Sequence, residues 1–232
     1  MDKIDQIFEQ LDDWRHLPTY QLERRADIFF SLYLPKILKA STGIEINDIV
    51  IPEFPLHKKT LNKTGNNQSF HADYFAVSKD GNSAFLVELK TDDRSGRTAQ
   101  DDYLKLAKDA RLPALLEGVK AITEKTSSKR KYFCLLKKLE ALGLMSNLQK
   151  LEGVMNPGRL IGFKKALANV KPSPAARSLS LVCIQPAVVK QKLPYDHVIS
   201  LQDVRKVVSR HKDPISMRFA ESLKAWETPA GE

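Results

Sequence analysis

The 232-residue chain is predicted to form a single mixed α/β domain, and three observations lead to this prediction. Two β-rich runs over residues 70–91 are joined by a short segment with Asp80 and Gly81 at its centre, which indicates a β-hairpin. Amphipathic helical patterns precede and follow this hairpin. A continuous apolar run at residues 179–184 predicts another buried strand. We therefore expect a central mixed sheet, containing the antiparallel hairpin, with helices on both of its faces.

Two helices and a strand are predicted before the hairpin. Residues 2–14 have apolar side chains at helical spacing, and residues 20–34 form a second helix that Pro35 is expected to end or kink. Residues 46–51 are predicted to form a strand. The lysine-rich segment 57–68 is predicted to be a basic loop.

The chain after the hairpin is mainly helical in its pattern. Helices are predicted at residues 98–110, 113–126, 130–144, 200–210 and 213–226, with a short strand at residues 197–199. No internal repeat or long linker divides the sequence, so we expect one domain over residues 1–232. In this interpretation residues 1–116 carry the core, and residues 117–232 complete it.

The composition excludes several classes of protein. With 42% hydrophobic and 28% charged residues, the sequence is not typical of disordered or collagen-like chains. No apolar stretch approaches the roughly 20 residues of a membrane-spanning helix, and the acidic, amphipathic start does not resemble a secretory signal. Two isolated cysteines, Cys134 and Cys183, fit a reducing compartment, and both are predicted to be buried. We expect a cytoplasmic protein that does not bind a membrane.

The net charge of +9 is unevenly distributed. Residues 1–116 contain 16 basic and 18 acidic side chains, whereas residues 117–232 contain 21 basic and 10 acidic ones. A basic surface beside an acidic centre suits a polyanionic substrate, although an ordinary protein of high isoelectric point has the same net charge. Basic clusters that are candidates for nucleic-acid backbone contacts lie at residues 129–131, 137–138, 164–165 and 205–206, and at Arg210.

The hairpin brings acidic side chains together. If its loop is centred on residues 80–81, opposed residues have numbers that sum to 161, so Asp73 faces Glu88 and His71 faces Lys90 on one side of the sheet. Phe70 is then expected on the opposite face. Two carboxylates opposite each other repel, and burying them is costly. Lys90 supplies one compensating charge, and Mg²⁺, which prefers oxygen ligands, supplies the rest. The alternative is that Asp73, Glu88 and Lys90 simply form a partly solvated ion-pair group.

These residues resemble the signature of the PD-(D/E)XK nuclease superfamily, an acidic residue on one strand followed by Glu/Asp-x-Lys on the next. In this chain the pattern is Asp73 followed by Glu88, Leu89 and Lys90. Ala72 replaces the proline that often precedes the first acid, a departure that the superfamily commonly shows. The resemblance implies a restriction-endonuclease-like fold and covers about residues 20–110.

Two helices add to the resemblance. Many members have a carboxylate on the preceding helix, matched here by Glu23, with Asp27 one turn further on as a substitute. RecB-like members place a glutamine and a tyrosine on the helix after the lysine strand. Gln100 and Tyr103 match this pair, although they are one residue closer together than is usual.

The resemblance implies a metal-dependent nuclease that hydrolyses phosphodiester bonds in DNA. Asp73, Glu88 and the backbone carbonyl of Leu89 are then expected to hold one or two Mg²⁺ ions, for which Mn²⁺ is a substitute. Lys90 is expected to orient or deprotonate the attacking water and to stabilise the transition state. Glu23 is expected to support a metal-bound water or a second ion, and Gln100 to position a phosphate or Lys90.

Contacts to the nucleic acid are expected from basic residues near this site. Arg94 and Arg97 precede the helix that follows the hairpin, and Lys58 and Lys59 lie in the predicted basic loop. Glu53 is a further acid that is ranked below Glu23. DNA is the favoured partner, and a homodimer remains open.

Two other functions fit the same sequence. The first is a nucleic-acid-binding module on the same fold, with weak or no catalysis. The second is a protein-interaction or structural domain in which the acidic hairpin is only an ion-pair cluster. Such a domain is expected to bind neither metal nor nucleic acid.

Overall fold

A computed structural model describes residues 2–61, 68–91, 98–155, 161–173, 177–187 and 194–228, with only the backbone described at residues 98–100. The helices within these ranges are α1 (Lys3–Trp14), α2 (Leu22–Thr42), α3 (Lys58–Leu61), α4 (Thr98–Lys125), α5 (Lys129–Ala141), α6 (Gln149–Met155), α7 (Phe163–Leu167), α8 (Leu201–Val208) and α9 (Pro214–Trp226). The strands are β1 (Ile51–His57), β2 (Ser69–Val77), β3 (Ser83–Leu89), β4 (Met145–Ser146), β5 (Lys171–Pro172), β6 (Ser178–Gln185) and β7 (His197–Ser200).

Five strands form a mixed central sheet in the order β1-β2-β3-β6-β7. Strand β2 is antiparallel to both of its neighbours, β1 and β3. Strand β6 is parallel to β3, and β7 is parallel to β6. The predicted mixed α/β class, with an antiparallel hairpin inside the sheet, is therefore confirmed. Strands β4 and β5 form a separate two-stranded ribbon.

Helices cover both faces of the central sheet, which is why its strands are apolar on both sides. One core cluster joins the sheet to α4, α5, α6 and α7. The other joins it to α1, α2, α8 and α9. No helix in the described ranges is long and apolar enough to cross a membrane.

Helix α2 is longer than the sequence pattern predicts. It continues through Pro35 to Thr42, so of the two predicted effects of Pro35, an end or a kink, the end is wrong. Buried side chains on both sides of the proline, Leu34 and Ile37, pack in the core cluster and hold the helix together despite the lost hydrogen bond. The helix ends at Gly43, which has a left-handed φ of 74°.

The first strand lies further along the chain than predicted. Instead of residues 46–51, it spans Ile51–His57 and contains Pro52 and Pro55, while Ile46 forms only an isolated bridge to Ser78. Because β1 is an edge strand, its prolines need not donate to a neighbour. The predicted basic loop correspondingly begins as the end of β1 and the short helix α3, and residues 62–67 of it lie outside the described residues.

Helix boundaries in the second half largely follow the predicted ones. The long helix α4 is broken at Arg111, where φ is 65° and ψ is 161°, which matches the two predicted helices over residues 98–126. Helix α5 ends at Ala141 rather than at residue 144, since Gly143 adopts a left-handed φ of 66°. As predicted from their capping patterns, α8 and α9 begin directly after Ser200 and Asp213, whose side chains accept backbone N–H bonds.

The two cysteines differ in their surroundings. Cys183 is buried in β6, as predicted, whereas Cys134 on α5 is exposed, so the prediction for Cys134 is wrong. The neighbouring Leu136 faces the core, and Cys134 lies on the outer side of the same helix.

Candidate active site

The hairpin register places the predicted site at the end where β2 and β3 separate. The paired residues run from Val77 opposite Ala84 to Tyr74 opposite Val87, so the predicted sum of 161 is confirmed for these four pairs. The predicted pairs Asp73–Glu88 and His71–Lys90 lie beyond the last of them. Beyond the last pair, Oδ2 of Asp73 accepts a hydrogen bond of 2.6 Å from the backbone N–H of Leu89. Beyond the paired residues, in the described part of the chain, β2 is therefore joined to β3 by the Asp73 side chain and not by backbone hydrogen bonds.

An irregularity in β1 lies next to Asp73. Ile51 and Phe54 belong to the same core cluster although they are three residues apart, whereas a regular strand places every second residue on one face. Glu53, between them, has a φ of 49°, which is rare for a residue other than glycine. The side-chain alternation of β1 shifts at Glu53, as it does at a β-bulge.

The neighbouring strand shifts its alternation at the same level. Ala72 and Phe75 of β2 both contribute to the core cluster on the α4 side, and Phe70 packs against that cluster too. The prediction that Phe70 lies on the opposite face is therefore wrong, because strict alternation does not continue past Asp73. Asp73 and Glu53 occupy corresponding positions in the two shifted strands, since the pairs on either side sum to 126.

Burial and neighbouring carboxylates raise the pKa of Asp73 to about 7. Burial is the largest cause, and the negative charges of Glu53 and Glu23 raise this pKa further. The Leu89 N–H bond and the Arg24 guanidinium act in the opposite direction without compensating fully. Asp73, Glu53 and Glu23 thus form a group of three carboxyls, of which Asp73 is the one with the raised pKa.

Helix α2 contributes the third carboxylate of this group. Oε2 of Glu23 accepts a hydrogen bond of 3.1 Å from the hydroxyl of Thr91, just after β3. One turn further along the helix, the backbone carbonyl of Asp27 accepts a bond of 2.8 Å from the hydroxyl of Tyr74. These two contacts fix the start of α2 against the strands that carry Asp73 and Lys90.

Glu88 and Lys90 lie on the α4 side of the sheet. Both residues are buried, at 5% and 9% exposure, and the backbone N–H of Lys90 continues the parallel ladder by donating to Ile184 at 2.8 Å. The Lys90 ammonium lies 3.4 Å from Oδ1 of Asp101 on α4 and 5.4 Å from the centre of the Tyr195 ring. The lysine is thus held from two sides.

The pKa of the buried Cys183 thiol depends on the charged groups around it. Cys183 lies beside Glu88 in the β3–β6 register, and burial is the main cause that raises its pKa to about 12. The positive charge of Lys90 lowers this pKa, whereas the charges of Glu88, Asp101 and Asp73 raise it. The predicted residues Asp73, Glu88 and Lys90 therefore all lie within electrostatic range of one point in the sheet.

The residues present fit a hard divalent cation such as Mg²⁺. The available donors are carboxylate and carbonyl oxygens, and the neighbouring Glu53 and Glu23 add negative charge beside Asp73 that favours a cation. Within the described ranges, no three side chains of His, Cys, Asp or Glu form a ready metal cage. Mg²⁺ does not need such a cage, because it keeps several waters and binds through one or two carboxylates.

The predicted nucleic-acid contacts are only partly described. Lys58 lies over the ring of Phe70, with its ammonium 4.4 Å from the ring centre, and donates to Gln68 at 3.1 Å. The ring of Tyr103 packs on Phe70 with the two centres 3.8 Å apart. The neighbouring Lys59 is exposed.

Three predicted residues cannot be placed in the site. Arg94 and Arg97 lie outside the described residues. Gln100 lies in the first turn of α4, but its side chain is also outside the described part.

Several basic clusters of the second half are tied to carboxylates. The ion pairs are Lys137 with Glu140 and Glu152, Lys164 with Glu124, Arg205 with Glu227, and Lys206 with Asp203. Exposed pairs of this kind contribute only about 0–1 kcal/mol, so a phosphate can displace the carboxylate. The clusters therefore remain candidate contacts without being free cationic patches.

Sequence reasoning missed two residues of the site. In the sequence, the only signal at Asp101 is its capping-box spacing with Thr98. This spacing indicates the start of a helix and does not indicate a partner for Lys90. Tyr195 had no sequence signal, since its contact with Asp101 joins residues 94 positions apart. Glu53 was ranked below Glu23 because strand ends with adjacent prolines are usually at the surface, and its left-handed φ has no glycine to mark it in the sequence.

No family model matches the chain, and comparisons with curated proteins and with solved structures give no match. The functional interpretation therefore depends on the geometry and chemistry of the site itself.

Proposed function

We propose that this protein is a metal-dependent nuclease that hydrolyses phosphodiester bonds in DNA, with a site of the PD-(D/E)XK type on a restriction-endonuclease-like fold. The observation that carries the proposal is the acidic group around Asp73, whose pKa is raised to about 7 mainly by burial and further by the charges of Glu53 and Glu23. This group lies at the end of a hairpin whose second strand continues into the buried Lys90. The charges of Asp73, Glu88 and Lys90 all act on the thiol of Cys183, and we infer from this that their oxygens and ammonium are close enough to share a metal ion and a phosphate.

The chain has suitable ligands on both strands of the hairpin. Asp73 and Glu88 supply carboxylate oxygens, and Glu23 adds a third carboxylate that Thr91 orients. A residue in a β-strand directs its N–H and its C=O to the same neighbour, and the Leu89 N–H bonds Asp73. The Leu89 carbonyl is therefore on the Asp73 side, where it can serve as a further ligand.

These oxygens would hold Mg²⁺, which would supply a water of lowered pKa and would screen the charge of the phosphate. Lys90 orients the attacking water and stabilises the negative charge that develops on the phosphate oxygens. Burial makes this ammonium more effective than a solvated one, because its field is screened less.

Contacts to the DNA backbone come from the edge of the same site. The Lys58 ammonium is positioned over Phe70, and Lys59 beside it is exposed to solvent. Both lie at the end of β1, which pairs with the strand that carries Asp73. We expect them to neutralise phosphates next to the cleaved bond, which makes binding sensitive to salt.

The test is cleavage of labelled single- and double-stranded DNA by purified protein with Mg²⁺, with Mn²⁺ or with EDTA. Cleavage is expected with either metal and not with EDTA. Asp73→Asn and Lys90→Ala are expected to reduce the rate by about 10²–10⁴-fold, the usual contribution of a group that acts on the reacting atoms.

Glu45→Gln is a matched control, since Glu45 is a carboxylate that pairs with Lys39 on the exposed surface. This variant is expected to cleave at the parental rate. If Asp73→Asn and Lys90→Ala also cleave at that rate, a contaminant is responsible and the proposal is wrong.

Binding without cleavage is the second candidate function. It is supported by the raised pKa of Asp73, because a proton on this carboxyl competes with a metal ion near neutral pH. Salt-sensitive DNA binding without cleavage under any of the metal conditions would select this function over the nuclease.

A further inference from the structure

A series of contacts leads from the central sheet to the ammonium group of Lys90. The ammonium lies 3.4 Å from Oδ1 of Asp101 in the first turn of α4. The same Oδ1 accepts a hydrogen bond of 2.7 Å from the hydroxyl of Tyr195. The Tyr195 ring also lies under the ammonium, at 5.4 Å from its centre. Lys90 is thus in contact with both members of a hydrogen-bonded pair.

The tyrosine is itself fixed by the residue that follows it. The backbone N–H of Asp196 donates to the carbonyl of Leu181 at 2.9 Å, and its Oδ2 accepts from the Leu181 N–H at 2.8 Å. The other carboxylate oxygen, Oδ1, pairs with Lys108 on α4. Asp196 is therefore bonded to Leu181 of β6 and to Lys108 of α4. Such outer support is what keeps a side chain in one orientation.

We propose that Asp101 and Tyr195 are positioning residues that hold the Lys90 ammonium in the orientation required for phosphodiester hydrolysis, an inference that rests on the proposed nuclease function. A free lysine side chain populates many rotamers. The contacts with Asp101 and Tyr195 remove this freedom before a substrate arrives. A misplacement of about 1 Å at a reacting group costs about 100-fold in rate, so this orientation matters for catalysis.

Burial of the pair supports this role. The side chains of Lys90 and Asp101 are 11% and 19% exposed, whereas exposed ion pairs in the same protein, such as Lys39 with Glu45, exceed 50%. Burial and the bond to Asp101 raise the pKa of Tyr195, so its hydroxyl keeps its proton and remains a donor. Oδ1 of Asp101 therefore has two donors near it, the Tyr195 hydroxyl and the Lys90 ammonium.

The first test is nuclear magnetic resonance of metal-free protein labelled with ¹⁵N-lysine. A buried, hydrogen-bonded ammonium gives a signal that solvated lysines lose through exchange, and Lys90→Arg assigns it by its absence. Asp101→Asn is expected to remove or strongly shift this signal. Tyr195→Phe is expected to shift it less, because the ring remains and only the hydroxyl is lost.

Tyr33→Phe is the matched control, since the Tyr33 hydroxyl is also buried and bonds Ser216 at 2.6 Å away from Lys90. It is expected to leave the Lys90 signal unchanged. A Lys90 signal that survives Asp101→Asn unshifted would overturn the inference. This measurement requires no cleavage, so it remains decisive even if the protein proves not to be a nuclease.

The second test is a double-mutant cycle in the cleavage assay. Asp101→Asn is expected to lower kcat by about 10–100-fold, the size of a misplacement effect, with KM for DNA changed less than about twofold. In a Lys90→Ala background, Asp101→Asn is expected to have no further effect, because Asp101 acts through Lys90. Equal losses in both backgrounds would contradict positioning and indicate an independent role.

Discussion

Asp73 is the residue at which folding and function oppose each other most directly. Its carboxyl group is buried beside Glu53 and Glu23, and its pKa is raised to about 7 from an ordinary value of 3.8. The folded state therefore binds the proton of Asp73 more tightly than the unfolded state does. Stability from this group is fully present below about pH 4 and is lost as the pH rises through about 7.

Asp73→Asn is accordingly expected to stabilise the metal-free protein at alkaline pH. The amide keeps the size of the side chain and removes the buried charge. Thermal unfolding in EDTA at about pH 5 and about pH 8 measures the effect, with about 2–4 °C expected for each kcal/mol. The difference between the two pH values should be smaller for the variant than for the parent.

Asp80 provides a comparison of opposite sign. In the hairpin loop it accepts bonds from Ser78 and Asn82, which lower its pKa. Its stabilising effect is present above the ordinary pKa and is lost as the pH falls. Asp80→Asn should therefore destabilise at neutral pH and have little effect in strong acid. Equal behaviour of the two variants would contradict the assigned electrostatics.

Metal binding can be measured without any substrate. A ligand at 100 times its dissociation constant stabilises the folded state by about 2.7 kcal/mol, so Mg²⁺ or Mn²⁺ is expected to raise the melting temperature of the parent. Asp73→Asn and Glu88→Gln should lose most of this rise. An equal rise in Glu88→Gln would remove Glu88 from the ligand set.

At this scale the sequence could identify residues whose position follows from a local pattern. Asp73, Glu88 and Lys90 were predicted from the hairpin register, and the charges of all three act on the pKa of Cys183. Tyr195 could not be found in this way, because its place depends on how β6 and β7 join the sheet. The Glu53 backbone could not be found either, since a left-handed φ is not expected of glutamate.

Among the elements, helix α2 shows how tertiary packing overrides a local signal. Its proline lies in the interior of a 21-residue helix, and the helix still continues because its apolar face is buried against the sheet. The hairpin and the capped helices α8 and α9 were predictable, since turn and cap chemistry acts over a few residues. The edge position that allows prolines in β1 depends on the whole sheet and has no local signal.

The glycine that ends α2 gives an element-scale prediction. Gly43 has a φ of 74° and no atom near an added Cβ, so Gly43→Ala meets only backbone strain. It should lower the free energy of unfolding by about 1–2 kcal/mol. Chemical denaturation measures this change.

The same substitution inside helix α6 should have the opposite effect. Gly153 lies within Gln149–Met155, and the space that an added Cβ would occupy is open there too. Gly153→Ala should raise the free energy of unfolding by about 0.5–1 kcal/mol, since alanine is the better helix former. Destabilisation by both variants would indicate a cause other than the φ angle of Gly43.

Hydrogen bonds join α1, the first helix, to α9, the last helix of the described residues. Asp12 of α1 accepts hydrogen bonds from Arg218, Ser222 and Trp226 of α9 at 2.8–3.0 Å. These contacts join residues more than 200 positions apart. They tie the chain ends together on the sheet face that α2 and α8 also cover.

Asp12→Ala is therefore expected to destabilise the entire domain. It leaves three donors without their acceptor, and the loss should be about 2–3 kcal/mol. Trp226 is buried beside Asp12, so tryptophan fluorescence during urea unfolding reports it directly. Glu45→Gln, at an exposed ion pair, should change the free energy of unfolding by less than about 1 kcal/mol.

The unequal exposure of the two thiols allows one of them to be labelled selectively. Cys134 is open to solvent on α5, while Cys183 is sealed inside β6, so a maleimide dye should attach to the native protein at a single position. That position lies on the helix that begins with Lys129, Arg130 and Lys131. A fluorophore placed there would report whether an oligonucleotide passes over this basic helix on its way to the acidic end of the hairpin.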